Sequence, residues 1–189
     1  MGTGWILAAV AAVVIVYVIV VFNRLVRQRN VVREGWSGID VQLKRRTDLI
    51  PNLVATLKAY ATHERSLFEE ITSRRAASVA AQDVGGKASA ERALSGSLGK
   101  LMAVAEAYPE LKANQNFLEL QNQLAEIEDH IQMARRYYNG AVRNLNISVQ
   151  SFPDVVVARM LGFREEPFFE LESRAEAAAP QIGFPGAPA

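Results

Sequence analysis

Two histidines and no cysteine leave this 189-residue chain few groups with which to bind a metal or attack a substrate. His63 and Glu64 open the run HERSL. A zinc-binding helix of that type needs its second histidine one turn on, where this chain has Leu67. His130 lies one turn after Glu126 and beside Glu128 and Asp129. A di-metal site in a helical bundle needs a Glu-x-x-His step, and Ile127 occupies the glutamate position. The zinc reading of His63 therefore fails, and a charged, solvated helix face accounts for the cluster around His130. Without a thiolate, a Gly-rich phosphate loop or a nucleophile paired with a base, the sequence predicts no catalysis, no cofactor and no metal.

A different polar feature stands out on the first long helix. Arg46 and Glu64 fall on a spacing that otherwise carries apolar residues, and Lys44-Arg45-Arg46-x-Asp48 sits just before Pro51. Either these charges are buried and paired, or the apolar stripe drifts and leaves them solvated. Drift is the simpler reading, because a straight helix slips about 20° per heptad against a 3.5-residue repeat. Pro51 removes a backbone donor and leaves the carbonyl of Thr47 without its usual partner. Arg46 and Asp48 are predicted to set helix register or to bind a partner. Asn52, Asn114 and Asn116 are candidates for hydrogen bonds between helices.

The element that places everything else is the start of the chain. Trp5 to Phe22 is an uncharged apolar run, closed by Asn23 and then Arg24, Arg27, Arg29 and Arg33. Its eighteen residues give about 27 Å of helix, close to the roughly 30 Å hydrocarbon core of a bilayer. No Lys or Arg precedes Trp5, and Val20-Val21-Phe22 lacks a small-x-small cleavage site, so an anchor fits better than a cleaved signal peptide. The arginines predict a cell-membrane protein with its N-terminus outside and its body cytoplasmic. They also lie where anionic headgroups would attract them. Within the anchor, Gly4, Ala8 and Ala12 recur every fourth residue, a face on which transmembrane helices pack closely.

Helical periodicity fills the body. Phe117, Leu120, Leu124, Ile127, Ile131, Ala134, Tyr138, Ala141, Leu145, Ser148 and Phe152 form a heptad seam. Leu94, Leu98, Leu101, Ala105 and Tyr108 form a shorter one before Pro109, and Trp36, Ile39, Leu43, Ile50, Leu53, Leu57, Tyr60, Leu67 and Ile71 trace a stripe on a helix from about 24 to 80. Asp83, Gly85, Gly86 and Ser89 mark a turn, and Asp154 is placed to cap a short helix that Gly162 closes. The prediction is an all-α protein, an N-terminal transmembrane helix continuing into an elongated antiparallel four-helix bundle. Residues 1–23 are the anchor, 24–171 the body and 172–189 an irregular C-terminal tail. The net charge of +1, with its basic excess beside the apolar run, gives no nucleic-acid signal.

The run FNRLVRQRNVVREGWSGIDVQLKRRTDLIPNLVATLKAYATHE, together with AYPELKANQNFLELQNQLAEIEDHIQMARRYYN, SFPDVVVARMLGF and the late FFE and PQIGF, resembles the bacterial LemA family from about Phe22 to Phe184. The resemblance implies a single N-terminal anchor, a cytoplasmic four-helix bundle and no established biochemical activity. Gly35 and Gly38, around Trp36, depart from the larger helix formers usual there and mark a candidate hinge. Two mid-helix glycines cost about 1 kcal/mol each against alanine. Phe152, Phe163, Phe168, Phe169 and Phe184 make the C-terminal end aromatic, able to fold back on its own bundle or to dock on a neighbour. Gly4, Ala8, Ala12, Arg46, Asp48, Phe163, Phe168, Phe169 and Phe184 are the candidate contacts. The expected partners are membrane lipid and further copies of the chain, with another membrane protein, a protease or sensor, as the alternative. The expected role is a non-catalytic structural scaffold built by homo-oligomerisation, the alternative being an adaptor.

Overall fold

The computed structural model describes residues 2–170, which are helical with no strand among them. The first helix, α1 (Gly2–Lys58), is unbroken from the apolar run into the core of the body. Its apolar start stands clear of the rest, with Trp5, Leu7, Val13 and Val16 all exposed, and only 6% of the most apolar eighteen-residue window is buried. That distinguishes it from the core helix of a compact domain. Burial begins at Val21 and Leu25 and then follows the expected stripe through Ile39, Leu43, Ile50, Leu53 and Leu57.

α1 continues through Pro51. The Thr47 carbonyl that the proline deprives of a donor accepts instead from Arg75 Nε at 2.6 Å, so the predicted gap is filled from a neighbouring helix. The helix ends well short of residue 80. After Lys58 the Ala61 amide bonds back to the Leu57 carbonyl at 2.8 Å, and a turn through residues 59–64 leads into α2 (Arg65–Ala80). The continuous helix to residue 80 is thus corrected. Reversal lets Leu67, Phe68 and Ile71 cover the end of the stripe on α1, and tertiary burial outweighs the helix propensity of a segment lacking Gly and Pro.

Asp83 caps α3 (Val84–Glu106) by accepting from the Gly86 amide. Pro109 opens only a four-residue helix, α4 (Pro109–Lys112). Asn114 then caps α5 (Gln115–Gln150), accepting from the Phe117 amide at 3.2 Å while its Nδ2 donates to the Tyr60 hydroxyl at 3.0 Å. α6 (Asp154–Met160) follows, and Gly162, at φ +73°, supplies the left-handed residue that ends it. Asp154 caps nothing; its carboxylate is taken by α1 instead.

α1 packs chiefly on α5, and α2 chiefly on α3. The first pair is antiparallel, since Gln28 meets Ser148 and Arg46 meets Glu128, while Tyr60, just past the end of α1, meets Asn114 at the cap of α5. The α2–α3 hairpin covers only the end away from the apolar run, where Ser78 and Glu70 reach Glu91 and Ser97. Along the other half of α1 and α5 the chain after Gly162 takes its place as an extended strap through Glu170.

Candidate functional site

Three arrangements carry the polar chemistry of the body. At the junction of α1, α3 and α5, Arg46 is fully buried on the seam between Leu43 and Ile50. Its Nη2 pairs with the equally buried Glu91, and its Nη1 donates to Glu128 at 2.5 Å and to Ser95 at 3.0 Å. The second carboxylate oxygen of Glu91 accepts from the Ser78 hydroxyl. Nearby, Lys87 donates to the Ser78 carbonyl at 3.1 Å and lies 3.7 Å from Asp40. Arg46 is therefore paired and buried, which overturns the solvated, drifting-stripe reading: the stripe is intact and the arginine is one of its members. Asp48 does not join it. Asp48 is exposed and 3.9 Å from Lys44 one turn back, a surface pair worth at most about 0.5 kcal/mol.

The second arrangement clamps the strap to α5. Asn139 accepts from the Phe169 amide at 2.9 Å and donates to its carbonyl at 3.1 Å, and Asn146 does the same for Glu166 at 2.9 Å each way. Seven residues of helix rise about 10.5 Å and three extended residues span about 10 Å, so two side-chain amides at this spacing match the strap's repeat. The Tyr138 hydroxyl donates to the Pro167 carbonyl at 2.8 Å between the two clamps. Burial, and then the negative charge of Glu166, push the Tyr138 hydroxyl up to about 12. Phe169 is fully buried and stacks edge-on against Trp36, with ring centroids 5.6 Å apart, and Trp36 also meets Tyr138 at 5.6 Å.

The third arrangement lies where the apolar run meets the body. The Asp154 carboxylate accepts from the Tyr17 hydroxyl at 2.6 Å and pairs with Arg24. Nearby, Phe163 packs edge-on to Phe22 with centroids 6.1 Å apart, and the Arg29 guanidinium lies over the Phe163 ring at 4.9 Å from its centroid.

Of the aromatic end, Phe163 and Phe169 are buried in the chain's own body, so at these two positions the fold-back alternative holds. Phe168 is partly exposed and Phe152 almost wholly so. Phe184 lies outside the described residues. Gly4, Ala8 and Ala12 are exposed on the projecting part of α1. Gly35 and Gly38 form no break in the helix. A Cβ on Gly35 would stand 3.0 Å from the Tyr138 Cα, whereas one on Gly38 would meet nothing. The first glycine permits close approach of α1 to α5 and is no hinge.

Asn139 and Asn146 escaped the sequence reading, although they flank the α5 seam. Lys87 and Glu91 extend the α3 seam backward from Leu94 at three- and four-residue steps, which is the signal that would have found Glu91. Asn52 makes no bond to another helix; its carbonyl accepts from Thr56 on α1 itself. Among the described residues no group of three or more His, Asp or Glu side chains is placed to hold a metal.

The LemA family profile matches residues 35–184. The chain belongs to the LemA family. It is 26% identical over 175 residues to Magnetosome protein MamQ 1 and MamQ 2 of Paramagnetospirillum magneticum, covering 79% of this chain and 64% of each relative. It is 26% identical over 150 residues to Protein LemA of Metamycoplasma hominis, covering 78% of this chain and 68% of that protein. The chain thus spans less than two thirds of the length of the MamQ relatives. Family membership and the projecting apolar helix together make this LemA-family chain a membrane-associated helical protein.

Proposed function

We propose that this LemA-family protein is a single-pass, membrane-anchored structural scaffold, with its body on the cytoplasmic side, that assembles as a homo-oligomer and carries out no reaction. One observation carries the reading: the apolar span and the core-lining stripe are two halves of one unbroken helix, α1. A rod of this kind fixes the body's orientation to the anchor, so packing of anchors through the Gly4, Ala8 and Ala12 face would set the spacing and rotation of the bodies. Cleavage near residue 22 would cut that helix and remove the Tyr17 partner of Asp154, which supports retention of the anchor. The arginines after Phe22 support the cytoplasmic orientation.

Native-size measurement after gentle detergent extraction tests the assembly. A homogeneous particle several times the 20.8 kDa of one chain, reduced in size by Ala8→Leu and Ala12→Leu, supports a homo-oligomeric scaffold. A monomer that crosslinks to no second copy in the membrane refutes it, and a monomer stoichiometric with another membrane protein replaces it with the adaptor role.

A further inference from the structure

The turn before α6 and the outer face of α6 are apolar and uncovered. Phe152 is 85% exposed and Met160 79% exposed, with Val156 and Leu161 about half exposed, while Val157 and Ala158 pack inward. On a soluble surface such a cluster is costly, and its position decides what covers it. Asp154 is held at once by Tyr17 and Arg24, two turns apart on one face of α1. Tyr17 lies five residues inside the end of the apolar run at Phe22, about 7.5 Å along the helix. A carboxylate bridging Tyr17 and Arg24 therefore stands at the level where the apolar run gives way to the arginines. If the run fills the hydrocarbon core, that level is the boundary between acyl chains and headgroups. Exposed cations lie on both elements, Arg24 and Arg27 on α1 and Arg159 on α6 itself.

We propose that α6 and the turn before it are a second membrane contact, a wedge that places Phe152, Val156, Met160 and Leu161 in the acyl–headgroup boundary beside the spanning helix while Arg159 and Arg27 meet anionic headgroups. The wedge rests on the membrane-spanning reading of α1. Interfacial elements of this kind bury their apolar face by about 5–10 Å. With α1 it gives each chain two points of contact with the bilayer, and these fix the tilt and rotation of the rod as a single span cannot.

The absence of cysteine makes the test direct. Single cysteines introduced in the full chain as Phe152→Cys, Met160→Cys, Val13→Cys and Met133→Cys are spin-labelled, and each protein is reconstituted in vesicles of phosphatidylcholine and phosphatidylglycerol. Collision with oxygen, which partitions into lipid, is compared with collision with a water-soluble nickel chelate. Labels at 152 and 160 are expected to favour oxygen, like the mid-span label at 13, and the label at 133, on the exposed side of α5 far from the span, to favour the chelate. Labels at 152 and 160 that favour the chelate while 13 favours oxygen overturn the wedge and leave the span standing. All four favouring the chelate overturn both. Labels at 152 and 160 shielded from both probes mean that protein covers the patch, and that too overturns the proposal.

Discussion

Replacing Arg46 by methionine removes a fully buried guanidinium and keeps much of its volume. What remains is the Glu91 carboxylate, also fully buried, with the Ser78 hydroxyl as its surviving partner. Breaking a buried ion pair from one side costs about 3–5 kcal/mol, because a charge stays desolvated and unpaired. Domain stabilities are about 5–15 kcal/mol, so this is a large fraction of the total. At about 2–4 °C per kcal/mol for a body of this size, the melting temperature should fall by about 6–20 °C. Glu128 contributes little to the loss, since its carboxylate is about a third exposed and can turn to water. The companion change Glu91→Leu removes the stranded charge, and Arg46→Met with Glu91→Leu should return to within about 1 kcal/mol of the parent. Arg46→Lys should not rescue, because one ammonium cannot reproduce the fork that reaches Glu91 and Glu128 from separate nitrogens. The assay is urea and thermal unfolding of the full chain in detergent, followed by circular dichroism, over the four corners of the double-mutant cycle. A single Arg46→Met protein within 1 kcal/mol of the parent would refute the reasoning, as would a double mutant no more stable than the single.

Gly38→Ala should stabilise the body by about 1 kcal/mol because its Cβ meets open space, whereas Gly35→Ala should forfeit that gain against the Tyr138 backbone and Gly35→Leu should destabilise by about 1–3 kcal/mol; the same unfolding curves measure all three. Asn139→Ala and Asn146→Ala each strip two hydrogen bonds from the strap, and each should cost about 1–3 kcal/mol locally, read as faster amide exchange at Glu166 and Phe169 with exchange in the α2–α3 hairpin unchanged. Tyr138 ionises at about 12 in the folded protein against 10.0 for an ordinary tyrosine. Folding therefore favours its neutral form, and the stability this contributes is complete below pH 10.0 and lost as pH rises toward about 12. Tyr138→Phe should flatten that part of the pH–stability profile; an unchanged slope would assign it to other groups. At the acid end, hydrogen bonds from Ser97 and then Lys100 hold the Glu70 carboxyl below the usual carboxylate range. Glu70→Gln should remove whatever stability is lost there as pH falls through that lowered value, a small effect at a partly exposed site.

The sequence by itself passed over Leu25, Val32, Leu49 and Val54, which widen the buried stripe on α1, but it determined the helical class, the projecting apolar span and the central apolar stripe of α1, α3 and α5. These follow from a period that repeats within one segment, and a helix buries the same face wherever its partner comes from. It also placed Arg46 on the seam. The tertiary structure decided how that position is tolerated, since Glu91 and Glu128 lie on other helices and their approach leaves no trace in the spacing around residue 46. The turn after Lys58 likewise has no Gly or Pro to announce it and exists because α2 buries more apolar surface by reversing than by continuing. At the far end of α5, Val142, Asn146 and Val149 join the buried face while Phe152 leaves it, because the strap and α6 pack on that side and widen the seam that periodicity alone describes. Short-range pattern fixes which residues need cover; only the folded chain supplies the cover, and at Arg46, Asn139 and Asn146 the cover is polar because the groups brought together there include charges and an extended backbone that must be hydrogen-bonded.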